Sequence, residues 1–304
     1  MIFLLFVFFI ISSAFLVNKY IALFLSPSLF VAIRMGLSGI LLGILYCRDL
    51  EIIKKFKDNA LTITLIAIFT TFVPSLCRAY ALQYITASRA AFWGTFEPFI
   101  ASLWTYILYD VNLNRNQFIG CLLSVMAAIF FIIMDAKEGI FYGALLCTAD
   151  LAQLSSHILS RFGWIQAQQF LQKNILTPIQ FNAFSFMISG LTSFGLFLFQ
   201  YWSVQNTAMP TILTDPKFIL CLGYTIIIGN MIAYTLYAYA IKTQPITYVA
   251  IAGLSMPLFV HLLSSYFFKE SLSYAFFISL SFIAIALFIF QKTSSHDTPE
   301  KDAE

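Results

Sequence analysis

Ten stretches of about twenty residues, each poor in charge, decide what this chain can fold into. They run at 2–23, 27–47, 60–82, 86–109, 116–134, 139–160, 175–199, 217–240, 244–268 and 273–291. A helix of that length and character spans the hydrocarbon core of a bilayer. Composition agrees: the chain is 60% hydrophobic, 17% aromatic and 10% charged, whereas soluble domains carry about 25% charged residues. One core cannot bury that much apolar surface, so lipid must be its solvent, and an all-α membrane protein of ten transmembrane helices is expected. The connections are short apart from the polar stretches 48–59, 161–174 and 200–216, and a polar tail at 292–304 is expected to be disordered.

The first run, MIFLLFVFFIISSAF, has no basic residue before it, and Lys19 comes only after it. It reads as a membrane helix and not as a signal peptide. The net charge of +3 is spread along the chain, with no basic block suited to nucleic acid. Cys47, Cys77, Cys121, Cys147 and Cys221 fall in or beside apolar runs without CxxC spacing. They read as small hydrophobes, and no metal or cofactor is expected.

Basic residues set orientation. With the N-terminus in the cytoplasm, the inner loops and tail hold Arg48, Lys54, Lys55, Lys57, Arg115, Arg161, Lys173, Lys242, Lys292 and Lys301. The outer side then holds Lys19, Arg89, Lys137, Lys217 and Lys269. Ten against five places both termini inside.

The chain also repeats itself. Tyr80-Ala81-Leu82 matches Tyr239-Ala240-Ile241, Pro98 matches Pro257 and Leu113 matches Leu272, each 159 residues on. Pro27 pairs with Pro178, and Ser38-Gly39 with Ser189-Gly190, 151 residues on. Two units follow, 1–134 and 139–291, of five helices each. Five is odd, so the second enters the membrane from the opposite side: an inverted-topology repeat, an architecture that places a site near the midplane between halves.

SPSLFVAIRMGLSGILL in the second run, and YALQYITASRAAFWGTFEPFIASLWTYILYDVNLNRNQFIG across the third to fifth, resemble the ten-helix drug/metabolite transporters with EamA-type domains. Arg34 after Pro27, Tyr80 to Leu82 and Pro98 match that pattern, and QPITYVAIAGLSMPLFVHLLSSYFFKESLS repeats its last part. One departure is Tyr109-Asp110 where the family ends its fourth span with Gly-Glu; Lys269-Glu270 keeps the acid. The resemblance implies a secondary transporter of the bacterial inner membrane, a monomer or homodimer surrounded by lipid. Family members include amino-acid and metabolite exporters, drug exporters and the S-adenosylmethionine carriers of intracellular bacteria. The terse loops and Phe/Ile-rich composition look like the last group, which imports S-adenosylmethionine, often in exchange for S-adenosylhomocysteine.

Ionisable residues at membrane depth are costly and turn inward or pair. Arg34, Arg78, Glu97 and Asp150 are such residues, and their charges sum to zero. They form either two internal ion pairs or a cavity for a zwitterionic or cationic metabolite. Ala90, Gly94, Glu97 and Ala101 share one helix face, whose small residues admit another helix. Pro98 removes a backbone hydrogen bond and frees a carbonyl near position 94. Asp150, Gln153, His157 and Arg161 make a second polar stripe, Arg161 and His157 suiting contact with the 161–174 loop. Asn230 and Tyr234 are deep enough to meet a ligand; Tyr237 and Tyr239 suit an interfacial belt. Ser12, Ser13 and Asn18 are weaker candidates, and His261 reads as a packing residue. Coupling or gating candidates are Glu97, Asp150, His157, Pro98 and Pro257. On the resemblance, Glu97 or Asp150 meets the sulfonium, Arg34 or Arg78 the carboxylate, and Tyr234 the adenine.

Other function classes fit poorly. No GxxxxGK[ST], HExxH or GxSxG is present, and Asp150 with His157 is the one pair that an integral-membrane enzyme would have to use. A sensor or scaffold would carry a sizeable soluble domain, and the longest polar stretches are too short for one.

Overall fold

The apolar runs fold as helices that begin at residues suited to a helix start. The computed structural model describes residues 2–110, 115–137, 147–203, 211–244, 249, 252–253, 255–269 and 274–291, and among these all regular structure is helical. In chain order the helices are α1 (Ile2–Ala22), α2 (Pro27–Tyr46), the short surface helix α3 (Leu50–Asp58), α4 (Ala60–Tyr84) and α5 (Ala87–Phe92, Trp93–Phe96 and Glu97–Tyr109). They continue as α6 (Arg115–Lys137), α7 (Thr148–Gln172), α8 (Pro178–Ser203), α9 (Pro216–Thr243), α10 (Ser255–Phe268) and α11 (Tyr274–Gln291). Ser26 caps α2 ahead of Pro27, its hydroxyl accepting from Leu29 N at 3.4 Å. Thr177 and Gln180 form a reciprocal capping box before α8, at 3.3 and 3.0 Å. Expectations for Leu113, Leu272, Glu270, residues 138–146 of the sixth run, 204–210 and the tail 292–304 lie outside the described residues.

Five helices (α1, α2, α4, α8 and α9) are long and apolar enough to cross a membrane. α10 and Tyr274–Ala286 of α11 are shorter apolar helices. The fourth expected run is broken by the 3₁₀ turn Trp93–Phe96. The sixth requires a correction: α7 continues through most of the stretch 161–174 read as a loop, ending at Gln172. Its glutamines do not mark a loop, because they make tertiary hydrogen bonds; Gln168 Nε2 donates to Ile241 O at 2.6 Å and Gln244 O at 3.1 Å.

Polar side chains are buried among the apolar ones of the interior, while many large apolar side chains face outward. Ser38, Asn182, Ser185, Ser189 and Asn230 are fully buried, while Leu191, Phe199 and Leu220 are at least 70% exposed. That distribution suits hydrocarbon and would be a liability in water.

At the centre α2 crosses α8 in direct backbone contact. A Cβ at Gly190 would lie 2.4 Å from Gly36 Cα, and one at Gly39 2.5 Å from Met187 N. Both obstacles are main chain and cannot swing aside. Gly190→Ala is therefore expected to destabilise the protein by about 1–3 kcal/mol. Thermal unfolding in detergent measures it, and an unchanged melting temperature would show that the crossing relaxes freely.

The same spacings that relate the sequence matches recur in contacts. Asn230 Nδ2 donates to Ser38 Oγ at 3.0 Å, and the hydroxyls of Thr71 and Ser189 share a bond of 2.6 Å. Ser38 and Ser189 are 151 residues apart, Thr71 and Asn230 159 apart. Likewise α4 contains a π turn at Ile68–Phe72, and α9 a π segment at Thr225–Tyr234. Pro74 accounts for the first, since its ring obstructs the carbonyl four residues back. Gly163 of α7 packs against the first at Phe69 and Thr70, and Gly229 brings the second against Ala14 of α1.

Candidate functional site

Six helices converge on a polar cavity of about 70 Å³. Phe8 and Ile11 come from α1, Arg78 from α4, Glu97 from α5, and His157, Ser160, Arg161 and Trp164 from α7; α9 adds Tyr234 and Tyr237, and α10 adds Met256. A larger depression of about 460 Å³ between α2 and α8 is lined by aliphatic residues, Gly36, Gly190 and Phe194, with no charged group to orient a polar ligand.

Glu97 owes its position to Pro98. The chain tightens into the 3₁₀ turn and starts a new α segment at Glu97, putting the carboxylate in a first helical turn, where the helix dipole favours it. Pro257 stands equivalently near the start of α10. The small-residue face admits α7 as expected: a Cβ at Gly94 would touch His157 Cε1 at 3.4 Å. Glu97 Oε1 accepts from His157 Nδ1 at 2.9 Å, and Oε2 is paired with Arg161 Nη2. Gln153 Nε2 donates to Ala90 O and to His157 Nε2, both at 3.0 Å, which leaves the imidazole proton on Nδ1 facing Glu97. Arg161 Nη1 donates to Tyr237 Oη at 3.1 Å. Glu97 is thus a partnered carboxylate on the cavity wall, 19% exposed.

Asp150 is elsewhere. It is fully buried and accepts from Arg89 Nε at 2.9 Å and Nη2 at 2.8 Å, Trp93 Nε1 at 3.0 Å, and Cys147 N at 3.0 Å. Its oxygens are occupied by this buried ion pair and these hydrogen bonds, and it stands apart from the cavity lining. Arg89, counted above as an outer-loop charge, is 1% exposed, and Arg161, counted as an inner-loop charge, is 2% exposed. Neither bears on orientation. Tyr237 is likewise no belt residue: it is buried and bonded to Arg161, whereas Tyr239 is exposed as a belt residue would be. Asn230 lies outside the cavity lining and donates to Arg34 O at 3.1 Å as well as to Ser38. Ser12 Oγ donates to Phe8 O at 2.7 Å, Ser13 bonds Tyr224 Oη at 2.8 Å, and Asn18 is buried outside the cavity lining. His261 packs as expected, stacked on Phe276 at 3.9 Å and bonded to Ser88 at 2.9 Å.

With both acids engaged by Arg89, Arg161 and His157, the alternative of two ion pairs among Arg34, Arg78, Glu97 and Asp150 is not what the described residues form. Arg34 and Arg78 have no carboxylate partner among the described residues. Arg34 is buried, donates to Ser75 Oγ at 3.3 Å and lies over the Phe30 ring at 5.2 Å. Arg78 is half-buried on the cavity wall and donates to Ser156 Oγ at 3.4 Å. The Tyr234 hydroxyl faces both guanidiniums and Ser75. The Nε of each arginine has no hydrogen-bond partner. Two guanidiniums without a carboxylate partner among the described residues thus stand near one another, Arg78 on the cavity wall and Arg34 behind it.

Sequence reasoning missed Trp164 and the roles of Arg161 and Tyr237. The helical stripe Asp150–Gln153–His157–Arg161, extended by one turn, points at Trp164 and was the signal available.

A model of the EamA-like transporter family matches residues 1–133 and 149–291. The chain belongs to that family. Two curated relatives are S-adenosylmethionine/S-adenosylhomocysteine transporters. That of Chlamydia trachomatis serovar L2 is 24% identical over 255 residues, 83% of this chain and 76% of the relative. That of Chlamydia muridarum is 24% identical over 254 residues, 83% and 78% of the two chains. A solved crystal structure superposes with a TM-score of 0.68 at 15% identity, covering 97% of this chain and 98% of the other, a likeness of fold. This EamA-like protein is a membrane transporter.

Proposed function

We propose that this EamA-like transporter carries S-adenosylmethionine across a bacterial inner membrane by alternating access, as uptake or in exchange for S-adenosylhomocysteine. The observation that carries the reading is the cavity wall: an arginine without an acid partner among the described residues on one side, aromatic rings on the other. A ligand with a carboxylate and a ring system fits that pair of surfaces, and the relatives' substrates have both. Arg78, backed by Arg34, takes the carboxylate, and Glu97 and Arg161 close the cavity until substrate arrives. Enclosing about 70 Å³, against about 300–1,000 Å³ for small-molecule pockets, the cavity has to widen to admit it.

The architecture we propose is ten spans in two inverted repeats, 1–134 and 139–291, with both termini and the tail 292–304 cytoplasmic. The crossed contacts Ser38–Asn230 and Thr71–Ser189 and the two π segments support it, since each is turned into its counterpart by exchanging the halves. So do the helix pairings: α1 lies on α9 as α7 lies on α4, while α2 with α8 and α6 with α11 are their own counterparts.

The test is uptake of labelled S-adenosylmethionine, beside an amino-acid panel, into cells expressing the chain. S-adenosylmethionine uptake above the empty-vector level is expected, with acceleration by preloaded S-adenosylhomocysteine if exchange operates. Membrane insertion without such uptake would remove this substrate, and accelerated loss of a panel member would favour the second reading, an amino-acid or metabolite exporter, which the same zwitterion-binding cavity allows.

A further inference from the structure

We infer that an onium centre is held in this cavity by a box of four rings, Phe8, Trp164, Tyr234 and Tyr237, and not by a carboxylate. The assignment rests on the substrate reading above only in naming that centre as a sulfonium.

Three observations lead to it. First, the carboxylate on the cavity wall is taken: Glu97 is engaged through one oxygen by His157 and through the other by Arg161, and Asp150 is sealed away against Arg89. Second, the wall is net positive, since Arg78 and Arg161 face one Glu97. A fixed cation entering there needs stabilisation from groups that carry no formal charge. Third, the rings stand at angles around one space. Trp164 meets Tyr237 edge to face at 4.9 Å and 75°, and Tyr234 at 6.2 Å and 40°. Phe8 meets Tyr237 at 6.1 Å and 78°, and Phe186 braces Tyr234 from behind at 5.6 Å. All four line the cavity, and Phe8, Trp164 and Tyr237 are under 10% exposed. Ring faces attract cations most strongly where water is excluded, which is how aromatic cages hold quaternary ammonium groups.

The chain positions explain why such a box faces a charged wall. Tyr237 stands 159 residues after Arg78, Tyr234 after Ser75, and Met256 after Glu97. At each of these positions the later residue is aromatic or a thioether, and the earlier one is charged or hydroxylic. One side of the cavity thus addresses an anion and the other a soft cation. A sulfonium and its demethylated thioether differ in charge at the atom the box would hold, so the rings set the preference between them.

The experiment measures binding to the purified transporter of two sulfonium/thioether pairs, S-adenosylmethionine with S-adenosylhomocysteine, and S-methylmethionine with methionine. For Trp164→Leu, sulfonium affinity is expected to fall at least about tenfold while thioether affinity changes by less than about threefold. Trp164→Phe, which keeps a π face, is expected to restore most of the preference. If Trp164→Leu does not fold, Tyr234→Leu against Tyr234→Phe makes the same comparison. Equal losses for both members of a pair would overturn the box and reduce the rings to apolar wall. If neither nucleoside binds the wild type, the substrate reading fails. The box still stands if S-methylmethionine is preferred to methionine in a Trp164-dependent way, and falls if it is not.

Discussion

Asp150→Asn is expected to destabilise the protein by about 3–5 kcal/mol, the cost of leaving one member of a buried ion pair without its partner. The substitution keeps the side chain's size but removes the charge that pairs with Arg89, itself 1% exposed. It also weakens acceptance from Trp93 and from the Cys147 amide, which tie α5 to the start of α7. The double variant Arg89→Met/Asp150→Leu removes both charges and is expected to recover much of the loss, because apolar side chains of similar volume often replace such pairs at little cost. Thermal unfolding of the single and double variants in detergent completes the cycle. Lost uptake at an unchanged melting temperature would instead make Asp150 a substrate group.

Arg78→Gln should do the opposite, sparing the fold and disabling transport. Arg78 has no acid partner among the described residues and lies near Arg34, so removing its charge relieves like-charge repulsion. On the proposed reading, what disappears is a charge-assisted hydrogen bond to the substrate carboxylate, worth about 1.5–3 kcal/mol. Uptake at low substrate is expected to fall by roughly 10- to 150-fold, expressed mainly in KM. Concentration-dependent uptake, normalised to the amount of folded protein, decides it. A KM near that of the wild type would place the carboxylate elsewhere.

How much of this was legible in the sequence depends on distance along the chain. The limits of α1, α2 and α4 fall within about two residues of the apolar runs, because hydropathy is a local property and lipid enforces it. Pro27 and Pro178 open α2 and α8 as their spacing promised, and the small face around Gly94 receives α7. Partners were not legible. Arg89 finds Asp150 61 residues away and Glu97 finds Arg161 64 residues away, pairs that a list of four deep charges summing to zero does not contain. Arg89 read as a loop residue because it lies three positions after the cap Thr86, and its depth is set by packing against α7. The glutamines at the end of α7 read as a loop because composition does not distinguish a polar face bonded to a neighbouring helix from one bonded to water.

The cavity lining has a bearing on how such a scaffold changes its cargo over evolutionary time. The contacts by which α2 and α4 cross α8 and α9, Gly36 with Gly190, Ser38 with Asn230 and Thr71 with Ser189, lie outside the cavity wall. Cavity-wall positions 78, 97, 234, 237 and 256 can be substituted without touching them. On the proposed reading, inheritance of the frame and inheritance of the specificity are therefore written at different positions, and a lineage can revise the second while copying the first unchanged.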